Sequence, residues 1–393
     1  MSRDDLASPQ VATGGAAGHE FRLREALEEM VRRRASDLHL KVGRPPVLRI
    51  FGELVELDQP PVRAEEARRT AEQILLPGLR DEFADRHEVD FAIGVQGLGR
   101  FRVNLFQQRG TPSFAIRAIP FEIPSLRELE LPPILEEIAS YPRGLVLVTG
   151  ITGSGKSTTL AAMLRHINEH RAANVITIED PIEFLHRDRR SLISQREVGN
   201  DTASFHEALR YVLRQDPDVI MVGEIRDQPS MDTCLKAANT GHLVLSTLHT
   251  TDASSSISRI ISFFPPHEHQ EVRALLADAL RAVISMRLLP RAGGEGRVAA
   301  LEILLNTAAI AERIRAADQL HTIPDLIAEG RHQYGMQTFD QSLMDLYEKG
   351  LVSLETALHY ATNQADFRLR VSGVESAGKL GWEGSGGATN HVS

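Results

Sequence analysis

From Gly150 to Thr158 the chain reads Gly-Ile-Thr-Gly-Ser-Gly-Lys-Ser-Thr, which carries the spacing G-x-x-x-x-G-K-[ST] of a phosphate-binding loop. Each position has a chemical task. Gly150, Thr152, Gly153, Ser154 and Gly155 let the backbone close on a polyphosphate with its N–H groups pointing inward. Lys156 brings a point charge to the β- and γ-phosphates, and Ser157 brings a hydroxyl for Mg²⁺. Thr158 opens a helix whose positive dipole end faces the anion. The bound species expected from this pattern are ATP and Mg²⁺.

A second group of polar residues sits at the ends of apolar runs. Val219-Ile-Met-Val222 ends in Gly223-Glu224, where many phosphate-loop enzymes carry Asp-Glu. With glycine in the Asp position, Glu224 is expected to be the catalytic carboxylate and to reach Mg²⁺ through water, while Ser157 holds the ion directly. Val175-Ile-Thr-Ile ends in Glu179, expected near the γ-phosphate; Asp180 and Glu183 just beyond read equally well as caps or ion-pair partners. His242 and His249 bracket the run Leu243-Val-Leu-Ser246 and are expected to sense the nucleotide through hydrogen bonds to phosphate or carboxylate. No cysteine lies near them and no H-x₃-H spacing exists, so zinc is not expected there.

These residues need a scaffold, and the hydrophobic pattern supplies it. Short, fully apolar runs at 145–149, 175–179, 219–222 and 243–246 alternate with helical segments at about 157–169, 203–214 and 229–239. That alternation predicts a parallel sheet covered on both faces. Upstream the signal is mixed. A helix from Glu20 should turn Leu23, Leu27, Met30 and Val31 inward, and Val47–Leu54 should form a hairpin. A helix is expected at 64–76 and strands at 89–93, 100–106 and 113–119. On the last two, Phe101, Val103 and Leu105 point inward, while Arg102 and Arg117 stand on polar faces and by themselves read as solvated.

The division expected is a flexible arm over 1–18, an α+β domain over 19–120 and a Pro-marked linker over 121–140. An ATPase core over 141–305, a helical part over 306–372 and a disordered Gly/Ser-rich tail over 373–393 complete it.

Bulk properties restrict the function further. A chain of 393 residues with 42% hydrophobic and 25% charged residues is an ordinary globular protein of more than one domain. The net charge of −9 argues against a broad nucleic-acid footprint. Cys234, the only cysteine, excludes an intrachain disulfide or a Cys₄ zinc site and reads as a buried thiol. No secretory signal and no apolar stretch of about 18 residues is found, so a cytoplasmic protein without membrane insertion is expected.

Taken together, the phosphate loop, the acidic stretch Thr177–Phe184, the Gly223-Glu224 strand end and the histidines resemble the secretion and type IV pilus ATPase superfamily. The narrower resemblance is to the pilus retraction (twitching motility) ATPases. Ala35-Ser-Asp-Leu-His-Leu40, Gln195-Arg-Glu-Val-Gly199 and Gly335-Met-Gln-Thr-Phe-Asp340 add to it, and the likeness spans about 20–372. It implies a PAS-like N-terminal α+β domain followed by a RecA-like ATPase domain, assembled as a homohexameric ring. It implies Arg102 and Arg117 at the nucleotide site and Arg259 as a sensor or interface residue. The implied partner is the inner-membrane pilus platform protein, with a second retraction ATPase as a further candidate. Extension ATPases usually carry an extra N-terminal domain and a four-cysteine zinc module, and neither is found here. One segment departs from the retraction pattern: Ala309-Ile-Ala-Glu312-Arg-Ile-Arg-Ala-Ala-Asp318 stands where Ala-Ile-Arg-Asn-Leu-Ile-Arg-Glu is usual. An accessory, weakly hydrolysing paralogue is the alternative, and a nucleic-acid translocase a remoter one.

Overall fold

The computed structural model describes residues 21–50, 52–119, 122–294 and 296–372. The arm expected over 1–18 and the tail over 373–393 lie outside them. The described residues divide into two compact units, with the boundary between Glu122 and Ile123 and with Glu183–Leu185 grouped with the first.

In the first unit, six strands form one antiparallel sheet: β1 (Asp37–Leu40), β2 (Val47–Ile50), β3 (Glu53–Glu56), β4 (Glu88–Val95), β5 (Gly99–Gln108) and β6 (Thr111–Ile119). Their order is β3-β2-β1-β6-β5-β4. Alternation decides the buried face, because successive side chains point to opposite sides of a strand. Phe101, Val103 and Leu105 of β5 and Phe114 and Ile116 of β6 are buried against the helices Leu23–Arg32 and Ala64–Ile74. The first helix turns Leu23, Ala26, Leu27 and Met30 inward. Val31, expected on that face, is 41% exposed. The helix Pro77–Arg86 buries no residue fully, which is why no apolar period announces it.

The second unit holds a seven-stranded sheet of order β13-β12-β7-β11-β10-β8-β9. Its strands are β7 (Gly144–Thr149), β8 (Asn174–Glu179), β9 (Leu192–Glu197), β10 (Val219–Val222), β11 (Leu243–Leu248), β12 (Leu280–Pro290) and β13 (Arg297–Leu305). All neighbours are parallel except the last pair, β12 and β13. Every residue of β7 is buried. Leu145 and Leu147 feed the core on one face of the sheet, and Val146 and Val148 feed the core on the other. The helices thus cover both faces, as a continuous apolar strand requires.

Residues 123–140, expected as a linker, contribute to that second core. Leu126, Leu131, Leu135, Ile138 and Ala139 are buried with Val146 and Val148. The later helices are also docked: Phe339, Leu343 and Phe367 pack with Leu289, Val298 and Ala300 of the β12–β13 pair.

Candidate active site

Parallel strands bring their C-terminal ends to one edge, where ligands of open α/β sheets bind. Thr149 of β7 lies opposite Leu248 of β11, and Val222 of β10 opposite both Ser246 of β11 and Ile178 of β8. The phosphate loop, Gly223-Glu224, His249 and Glu179 therefore issue from the same edge.

The loop itself is built from its glycines. Gly150, Gly153 and Gly155 have φ values of 146°, 78° and 97°, in the region that side chains disfavour. At Gly150 a Cβ would also collide with Ser154 Oγ and come 2.7 Å from the Met286 carbonyl oxygen. Gly155 caps the helix Lys156–His170, so the first N–H groups of that helix face the loop. Lys156 is buried, and its Nζ donates to the carbonyls of Gly150 at 2.8 Å and Ile151 at 3.0 Å. The ammonium thus lies folded over the loop. Ser154 Oγ is buried with no hydrogen-bond partner among the described residues. An orphaned donor inside a glycine cradle fits a polyphosphate, whose oxygens accept such bonds. The loop is anchored from behind by Thr149 Oγ1, which donates to Ser285 Oγ at 2.9 Å.

Glu224, at the same sheet edge, is one member of a trio. Arg226 Nη2 lies 2.7 Å from its Oε2, and His249 Nε2 lies 3.3 Å from its Oε1. Burial by itself raises the carboxyl pKa, but the Arg226 hydrogen bond and the charge of His249 and Arg226 outweigh it, leaving Glu224 below its ordinary value. The Gly223 N–H donates to the Ile178 carbonyl at 2.8 Å, carrying the β10–β8 pairing one residue past the strand end. Thr247 Oγ1 donates to the Gly223 carbonyl at 2.6 Å, fixing the turn that carries Glu224.

Glu179 is buried and accepts from Thr177 Oγ1 at 2.6 Å and Gln195 Nε2 at 2.9 Å. It is a hydrogen-bonded carboxylate at the same edge. Arg226 and Gln195 are the side chains that sequence reasoning did not place here. Arg226 had a signal, a cation two residues beyond the strand-end carboxylate. The contact from Gln195 depends on β8 pairing with β9, which only the fold reveals.

Of the remaining expected residues, His242 lies apart from this group, Arg259 is carried by another helix, and Arg102 and Arg117 belong to the first unit. His242 precedes β11 and so lies at the opposite edge of the sheet from the loop. Its Nδ1 is 3.0 Å from the Ala237 carbonyl oxygen, which satisfies the end of the helix Gln228–Asn239. The two histidines are separated by the length of β11, about 20 Å at 3.3 Å per residue. Arg259 is exposed on the helix Ala253–Ser262, with its guanidinium 4.7 Å from the Phe263 ring centre. In the first unit, Arg102 and Arg117 are direct cross-strand neighbours, and Arg117 is opposite Asp37 in turn. Arg117 Nε donates to Asp37 Oδ1 at 2.8 Å, and Arg102 Nε is 4.0 Å from Asp90 Oδ1. Burial raises the Asp37 carboxyl, yet hydrogen bonds from Ser36 and Arg117 outweigh it and hold it low. Two guanidinium groups side by side repel unless an anion lies between or beside them.

Cys234 is fully buried, and desolvation pushes its thiol up to about 12, away from the reactive thiolate. No group of three or more His, Cys, Asp or Glu side chains among the described residues could hold a metal by itself. No described helix is long and apolar enough to cross a membrane.

A glycine loop between a central parallel strand and a helix, with a strand-end carboxylate at the same sheet edge, defines a phosphate-loop nucleotide-binding protein of RecA-like fold. Residues 17–358 match the family model described as type II/IV secretion system protein, and the chain belongs to that family. It is 43% identical over 351 residues to the type IV pilus ATPase PilU of Pseudomonas aeruginosa, covering 89% of this chain and 91% of that one. With the pilus retraction ATPase PilT of the same organism the identity is 43% over 343 residues, covering 87% and 99%. A crystal structure of the pilus retraction motor PilT with bound ADP superposes with a TM-score of 0.81 at 42% identity, covering 88% of this chain and 99% of that one.

Proposed function

We propose that this chain is an ATP-hydrolysing motor that powers type IV pilus retraction, working as a homohexamer at the cytoplasmic face of the inner membrane. The observation that carries the chemistry is the trio Glu224, Arg226 and His249, set at the sheet edge from which the phosphate loop issues. The pathway is supported by the likeness to PilT over nearly its whole length.

The phosphate tail of ATP is cradled by Gly150, Thr152, Gly153, Ser154 and Gly155 and by the helix start at Ser157 and Thr158. Lys156 moves from the loop carbonyls to the phosphate oxygens. Ser157, with Glu224 acting through water, would hold Mg²⁺, which would supply charge neutralisation during the transfer. A carboxylate held below its ordinary pKa is a weak proton acceptor, so Glu224 acts by orienting the attacking water. His249 and Arg226 fix its rotamer. Glu179, held by Thr177 and Gln195, adds a second acceptor on the γ-phosphate side. Arg102 and Arg117, cross-strand neighbours in the first unit, are the arginines that the family resemblance assigns to the developing charge. Arg259, free of the trio, contacts the neighbouring subunit, and the pilus platform protein is the partner that the ring turns.

The test uses the purified full chain. Wild type hydrolyses ATP, and Glu224→Gln binds ATP with similar affinity but loses hydrolysis. Turnover by Glu224→Gln at the wild-type rate rejects the assignment of the carboxylate. Normal twitching in a strain lacking this gene rejects the pathway.

The accessory paralogue stays as a second reading because identity to PilU and PilT is the same 43% and the helix Ala308–Arg315 departs from the retraction pattern. Absence of turnover by the isolated protein decides for it.

A further inference from the structure

Glu302 lies on β13, outside every motif discussed above, and only 7% of it is exposed. Its Oε1 accepts the N–H of Ala253 at 2.8 Å. Ala253 opens the helix Ala253–Ser262, and Asp252 already caps that helix by accepting from Ser255 N–H at 2.7 Å. Two carboxylates therefore converge on one helix start.

The register shows what this contact fastens. Glu302 stands opposite Ser285 on β12, Ser285 opposite Thr149 on β7, and Thr149 opposite Leu248 on β11. Leu248 is the last residue of β11, and the segment 249–252 runs from it to Ala253. One end of the segment is built into the sheet. The other end is held by Glu302. Between them lies His249, 3.3 Å from Glu224.

Keeping a carboxylate here is costly. Burial pushes Glu302 up to about 7; the Ala253 N–H counters that, Asp252 and Asp340 add to the rise, and Arg287 opposes it. Those groups face it from three sides: Asp252 on the segment itself, Arg287 on β12 and Asp340 on the helix Phe339–Glu348. A neutral or apolar residue would be the more stable choice at an enclosed site with no task.

We propose that Glu302 is a positioning residue for ATP hydrolysis, fastening the Ala253 end of the segment 249–252 so that His249 stays against Glu224. The proposal rests on the reading of Glu224 and His249 as a working pair. It does not require Glu302 to touch ATP.

The test uses hydrogen exchange at Ala253 together with steady-state kinetics of the full chain. In Glu302→Ala the Ala253 amide exchanges about tenfold faster, kcat falls about tenfold and KM for ATP moves less than twofold. Glu302→Gln keeps an acceptor oxygen and recovers both readouts to within about threefold. Adding His249→Ala to Glu302→Ala costs less than about twofold more, because the two act through one contact. Faster exchange with wild-type kcat in Glu302→Ala overturns the proposal and leaves the proposed function standing. Wild-type kcat in His249→Ala alone overturns the paired reading itself. Should Glu302→Ala fail to fold, Glu302→Asp, one methylene too short to reach Ala253, carries the same expectations.

Discussion

The two ends of β11 hold the same residue type in different circumstances. At the starting end, His242 sits against the Ala237 carbonyl and closes a helix terminus. At the finishing end, His249 sits against Glu224, which Arg226 also contacts. The starting end gains a hydrogen bond for a backbone group that would otherwise lack one. The finishing end gathers carboxylates, a lysine and glycines in backbone conformations that other residues disfavour. In a parallel sheet all strands share a sense, so the finishing edge collects loops from every strand, and that edge is where chemistry concentrates.

Several substitutions test this contrast. The largest effect is expected from Lys156→Ala, which lowers kcat/KM for ATP by about 10³-fold or more, as a phosphate-binding charge is lost where transferred charge develops. Glu224→Gln comes next, with kcat down about 10²–10³-fold and KM little changed in the same assay. His249→Ala lowers kcat about tenfold, whereas His242→Ala leaves kcat within about twofold and lowers Tm by about 2–4 °C. Equal kinetic losses for the two histidines would break the contrast outright.

The last effect concerns stability against pH and not rate, and it has the opposite sign at the functional edge. With its carboxyl at about 7 in the folded chain against an ordinary 4.5, Glu302 binds more protons folded than unfolded between those values. Its penalty is therefore absent below about pH 4.5 and full above about pH 7, reaching about 3 kcal/mol. Glu302→Gln should raise Tm at pH 8 by several degrees and leave it nearly unchanged at pH 5, as thermal unfolding in the two buffers will check. Equal gains at both pH values would mean that the carboxylate carries no such cost.

Legibility followed locality. The phosphate loop was readable because all its residues are consecutive and its glycines have backbone reasons to be there. The strands β7, β8, β10 and β11 were readable as short apolar runs, since both of their faces are buried. β9 carries no such apolar signal, because an edge strand of sequence Leu-Ile-Ser-Gln-Arg-Glu is mostly half-exposed. Prolines punctuate the stretch 121–140 and read as a linker, yet Leu135 and Ile138 within it are completely buried. Proline sets local backbone angles and carries no information about distant packing.

The sequence alone determined which residues could grip a phosphate, that a parallel sheet would present them, and that a strand-end carboxylate stood nearby. Those properties depend on neighbours within a few residues. Tertiary structure decided that His249 and not His242 meets Glu224, that Gln195 holds Glu179, and that Glu302 fastens a segment some fifty positions earlier in the chain. Each of these contacts follows from strand order and register, which are set by how whole faces pack and leave no local mark in the residues they bring together.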